Sequence, residues 1–370
     1  MRFGAVAIED SLGGVVAHAV KTGGLLLKKG DIVTQRHIES LRALGVETIV
    51  VARLDPDDIE EDQAAHAIAG AVAGRNLFPK TPTTGRANLF AACDGVFVAE
   101  RQFIDAVNAI DDGVTLATLE PMRPVRKGDM VATVKIIPFA ISSASLDKAK
   151  AAIGGGRLAV APFTPHRVGV VSTLLPGLKA TTVRKTLDVL ENRLKPWGSQ
   201  IAARLETTHE TAALAGAIAS MRQDIDLIVI FGASAITDRR DVIPAAIEQA
   251  GGRVIHLGMP VEPGNLLLLA ETADRRPIIG APGCARSSKA NGFDWVLQRL
   301  LADLPVTAGD IRQMGAGGLL VEAPAGRKSG VQRNEPPQFD KLAPWGPAAT
   351  RPPVSLVNHA AAAPGVDSPG

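Results

Sequence analysis

The chain has no tyrosine, and aromatic residues make up only 4% of it, so it lacks the exposed stacking platforms that single-stranded nucleic acid requires. It also lacks an excess of either charge. Forty basic side chains oppose 38 acidic ones for a formal net charge of +2, and the basic residues are scattered, so no stripe tracks a polyanion. No nucleic-acid partner is expected. Only two cysteines are present, Cys93 and Cys284, far apart and without a CxxC spacing. That argues against a zinc knuckle or a disulfide framework and fits a reducing cytoplasm. No apolar run reaches the ~18 residues of a spanning helix, and the first residues lack a charged segment leading into an apolar one. The expectation is a cytoplasmic protein without a membrane partner.

What is plentiful is aliphatic. Hydrophobic residues are 46% of 370, nearly all Ala, Val, Leu and Ile, enough to bury the cores of two or three domains of about 100–150 residues each. Residues 1–156 read as an α+β region. A helix is predicted at Gln35 to Leu44, stopped by Gly45, and the acidic run Asp55 to Asp62 opens another, with its acids at the positive end of the helix dipole. A further helix is expected near Gln102 to Ile110, with strands at "VTLATL" and "MVATVKIIPF". Gly154, Gly155 and Gly156 end a helix and mark a boundary. Residues 160–322 then alternate strand and helix, which predicts an α/β domain of three layers: a parallel sheet with helices on both faces. Ligands of such sheets bind beyond the carboxyl ends of the strands. Residues 323–370 hold nine of the 25 prolines with little apolar periodicity, which predicts a disordered tail.

Three turns in the α/β region carry the chemistry. The apolar run "DLIVIF" breaks at Phe231 into Gly232, Ala233 and Ser234; "MPVEPGN" contributes Pro263, Gly264 and Asn265; "GAPGCARSS" contributes Pro282, Gly283, Ser287 and Ser288. Small residues at a turn let backbone N–H groups approach an anion, and a following helix start adds its positive end. Asp241 has two readings, a Mg²⁺-holding carboxylate beside a phosphate and a helix N-cap before Val242-Ile243-Pro244. Asp238 is a second acid, and Arg239 and Arg240 either contact phosphate or are solvated. The serines either bond a ligand or their own backbone. Cys284 reads as an inert thiol rather than a metal ligand, and His209 and His256 as structural histidines rather than acid–base groups. Lys185 and Thr186 follow the first strand's turn without a spacing argument.

In combination these turns resemble the molybdopterin-binding domain of molybdenum-cofactor biosynthesis enzymes. In the molybdenumtransferase branch they read approximately Gly-Gly-Val-Ser with a following Asp, Lys-Pro-Gly-Lys-Pro, and Leu-Pro-Gly-Asn-Pro-Val-Ser. Here the counterparts are Gly232-Ala233-Ser234 with Asp241, Glu262-Pro263-Gly264-Asn265, and Ala281-Pro282-Gly283 with Ser287 and Ser288. "RDVIPAA" at Arg240 to Ala246 is more similar to the adenylyltransferase branch, and the segment Leu25 to Leu54 is similar to another part of the transferases. The chain also departs from the pattern. An acidic turn after the first strand is replaced by Leu174-Leu175-Pro176-Gly177-Leu178, a lysine by Asn265, and a glycine by Ala233.

The resemblance implies a protein that binds molybdopterin or its adenylylated form at these turns and assists molybdate insertion. Asp241 and Asp238 would be the catalytic acids, and Asp241 would hold Mg²⁺. It also implies molybdate and a nucleotide as further ligands, a homodimer, and a molybdoenzyme or cofactor-maturation partner. Two other functions stay open: adenylyl transfer to molybdopterin, and a non-catalytic carrier, to which the lost acidic pair gives weight.

Overall fold

A three-stranded antiparallel sheet sets the first layer. Arg2–Ala7 pairs antiparallel with Thr48–Arg53, whose other edge takes Val15–Val16. The helix Gln35–Ala43 buries Ile38 and Leu41 in a small core with Ile8, Val16, Leu27 and Val51. Thr34 and the ring of His37 cap its start reciprocally, and Gly45, at φ +70°, turns the chain out of it. A computed structural model describes residues 1–320, which form one compact unit. The tail expected at 323–370, and the last two residues of the expected α/β domain, lie outside the described residues.

The next module packs the helix Glu61–Val72 on a four-stranded antiparallel sheet made of Val114–Thr118, Met130–Ile136, Arg86–Ala91 and Leu77–Pro79, in that order. The acidic run does not all enter the helix. Asp58–Glu60 pairs as a strand with Ala140–Ser142, leaving Glu61 and Asp62 for the first turn. The helix Ser143–Ile153 ends at Gly154, and Ala159–Pro162 then pairs with Gly95–Val98, so strands from before and after the glycine run share one sheet. Gly95 is required there, because a β-carbon would overlap the Ala161 carbonyl oxygen.

The remaining strands build a six-stranded sheet, numbered here along the chain: β1 (Arg167–Leu174), β2 (Gln200–Thr208), β3 (Leu227–Phe231), β4 (Arg253–Leu257), β5 (Leu268–Glu271) and β6 (Pro277–Ala281). Their order is β2-β1-β3-β6-β5-β4. β1 runs parallel to β2 and β3, and β3 parallel to β6, but β5 is antiparallel to both of its neighbours. The sheet is therefore mixed, which corrects the expectation of a parallel one. The reason is connection length: residues 258–267 and 272–276 are too short to carry a crossover helix, so the chain can only fold back antiparallel.

Every residue of β3 is buried, because neighbours along it serve opposite faces. Leu227 and Val229 pack under the helices α1 (Ala180–Leu194) and α4 (Gly292–Leu301), numbered like the strands. Ile228 and Ile230 pack under α2 (Thr211–Ala219) and α3 (Val242–Gln249). No helix among the described residues is long and apolar enough to cross a membrane.

Candidate functional site

Strand register brings the three turns to one edge. Phe231 pairs with Ala281, Gly280 with Leu268, and Leu268 with Leu257. Gly232 and Pro282 thus leave the sheet side by side at its carboxyl edge, and the turn at 263–265 returns the chain to the same edge.

Two contacts tie the turns together. Arg286, within the third turn, donates to the Gly232 carbonyl and to the Thr186 hydroxyl, each at 2.9 Å, with its guanidinium 5.4 Å from the Phe231 ring centroid. Behind it, the Gly292 N–H donates to the Pro263 carbonyl at 2.8 Å, joining the second turn to the start of α4. Arg193 of α1 braces the third turn. It pairs with Asp294 at 2.6 Å and donates to the carbonyls of Ala285, Ser287 and Lys289.

The first turn is tight. A β-carbon on Gly232 would stand 2.7 Å from Ile243 Cδ1 and 2.8 Å from the Ser234 carbonyl oxygen, so the position admits only glycine. The Ala233 N–H, expected to face an anion, instead donates to Thr173 Oγ1 at 2.8 Å. Thr173 is 1% exposed, and its hydroxyl lies 2.8 Å from His209 Nδ1. The Thr173 hydroxyl thus links the Ala233 N–H of the first turn to the His209 ring.

Asp241 caps α3. One carboxylate oxygen accepts from the Val242 N–H at 2.8 Å and the other from the Thr237 N–H at 3.2 Å. Asp238 is tied to Arg240, whose hydrogen bonds hold its carboxyl below the usual range. Among the described residues no cluster of three His, Cys, Asp or Glu side chains is placed to hold a metal ion. The capping role has a direct test. Asp241→Ala is expected to cost about 1 kcal/mol of stability, whereas Asp241→Asn, an equally good cap, should cost little. Equal melting temperatures for all three proteins would show that the cap contributes nothing.

Elsewhere in the turns, Ser234, Ser287 and Ser288 are exposed, and Ser287 Oγ accepts from the Lys289 N–H at 3.2 Å. Gly283 faces open space, with no atom within 4 Å of where a β-carbon would stand. Burial pushes the Cys284 thiol above its ordinary value, which favours the inert form. Asn265 borders a cavity of about 280 Å³ with Met259, Pro260 and Glu262. Burial, then Arg312 and Arg239, holds His256 below its ordinary value, so the ring favours the neutral form. Arg193, Arg286 and Thr173 are the site residues that sequence reasoning passed over. Arg286 stood inside a quoted motif, while Arg193 gave no local signal.

A family model described as a domain of unknown function (DUF8806) matches residues 5–53. No curated protein matches the chain. Among solved structures, the chain is similar to a molybdopterin biosynthesis moea protein from Pyrococcus horikosii, at 14% identity and a TM-score of 0.29, over 82% of this chain and 75% of that one. It is also similar to a molybdenum cofactor biosynthesis protein from Pyrococcus furiosus, at 11% identity and a TM-score of 0.25, over 82% of this chain and 64% of that one. Likeness at this level carries no inference about the site, which rests on its own residues.

Proposed function

We propose that the carboxyl edge of the mixed sheet binds a phosphorylated pterin, molybdopterin or its adenylylated form, and that the chain serves molybdenum-cofactor biosynthesis by presenting that ligand for molybdate insertion. One observation carries the reading. Three turns separated in sequence, the ones that bear the family resemblance, meet at the sheet edge where ligands of α/β folds bind, held together by Arg286 and by the Pro263–Gly292 hydrogen bond.

The donor set supports binding more than catalysis. One oxygen of Asp241 caps α3, the other accepts from the Thr237 N–H of the preceding loop, and Asp238 is engaged by Arg240, so these acids form no ready magnesium cage, and no step is routed through that ion. That engagement favours a second reading, a carrier that holds the cofactor for another enzyme.

Anaerobic titration of the purified chain with molybdopterin should give saturable heat and retained pterin fluorescence. The absence of both signals would end the proposal. Pyrophosphate release on addition of ATP and Mg²⁺ would instead make the chain an adenylyltransferase. If Asp241→Asn retains binding and restores molybdoenzyme activity in a deficient strain, the carrier reading prevails.

A further inference from the structure

We propose that Arg286 is the anion receptor of this edge, a half-buried guanidinium left without a protein counter-charge so that a phosphate monoester or pyrophosphate group can pair with it. The inference rests on the reading of the edge as a ligand site and adds the residue and the chemical class it recognises.

The contrast with Arg193 carries the argument. Both arginines stand against the third turn. Arg193 is matched by Asp294, with side-chain exposures of 11% and 15% for the pair. Arg286 has only neutral partners: a threonine hydroxyl, a backbone carbonyl and an aromatic ring. No carboxylate among the described residues forms an ion pair with it. Taking a charge out of water without an opposite charge is costly, and burial accordingly draws this guanidinium below its ordinary pKa. A ligand anion would remove the penalty that the fold leaves in place.

The surroundings fit that role. The Thr186 hydroxyl donates to the Thr182 carbonyl, so it is committed as an acceptor for Arg286 and fixes one Nη. The Gly232 carbonyl fixes the other, leaving the rest of the five N–H donors for a ligand. A planar fork held this way suits two oxygens of one phosphoryl group. Gly283, three residues earlier in the same turn, leaves room for the approach.

The experiment uses the full chain. Phenylglyoxal modification mapped by mass spectrometry should label Arg286 in the free protein and be suppressed at that residue by inorganic pyrophosphate. Labelling that pyrophosphate does not change would overturn the proposal without any variant having to fold. By calorimetry, Arg286→Met should lose at least tenfold in pyrophosphate affinity, and Arg286→Lys should lose less. A pure brace would lower the melting temperature of Arg286→Met with affinity unchanged, and that result would also overturn the proposal. The two readings fail separately. Wild-type protein that binds pyrophosphate at Arg286 but not molybdopterin keeps the receptor and loses the pterin. If it binds molybdopterin and Arg286→Met binds it equally well, the pterin stays and the receptor falls.

Discussion

Replacing Arg193 with methionine should lower the stability of the folded chain by about 3–5 kcal/mol, because it strands a carboxylate and removes the guanidinium donor from the carbonyls of the third turn. Asp294 is nearly as buried as its partner, and its second oxygen already accepts from the Asn291 N–H in the capping box that starts α4. Without Arg193 that carboxylate has no ion-pair partner among the described residues, and the carbonyls of Ala285, Ser287 and Lys289 lose the guanidinium that gathers them. Denaturant unfolding monitored by tryptophan fluorescence measures the loss, and the turn at 283–289 should become cleavable by protease. Arg193→Met combined with Asp294→Leu should be less destabilising than the two single losses added, since the pair is removed together. A loss below about 1 kcal/mol would place the pair among solvated surface bridges.

Local signals in the sequence showed where turns fall, and they hid what reaches them from afar. "LIVIF" is apolar at every position, so it reads as a strand covered on both faces, and all five residues are buried. The N-cap reading of Asp241 was equally visible, because Asp followed by Val-Ile-Pro is a helix start by composition. By contrast, "NLLLL" lacks alternation and follows a Pro-Gly turn, so nothing in its period reveals that Leu268–Glu271 is an antiparallel strand. Asp294, the partner of Arg193, sits 101 residues away in sequence, and Thr186 and Gly232, the partners of Arg286, 100 and 54 residues away; pairings of that kind follow from sheet order, which no window of sequence contains. The same holds for Thr173, which takes the Ala233 N–H across 60 residues.

The second turn offers the other large effect, through a glycine that no other residue can replace. Gly264 has φ +138°, a conformation L side chains rarely adopt, and a β-carbon there would stand 2.7 Å from the Gly292 nitrogen and 2.8 Å from its Cα. Those are backbone atoms, so no rotamer change can relieve the overlap. Gly264→Ala should therefore cost about 2–4 kcal/mol, combining backbone strain with overpacking. Wild-type stability for this variant would mean that the second turn does not lie against the start of α4. Gly283→Ala is the matching control, because its β-carbon would meet no protein atom within 4 Å and should leave stability within about 0.5 kcal/mol of wild type. Whatever Gly283→Ala takes from pyrophosphate or molybdopterin affinity must then come from the ligand's own approach to the turn, because the protein has nothing else there to disturb.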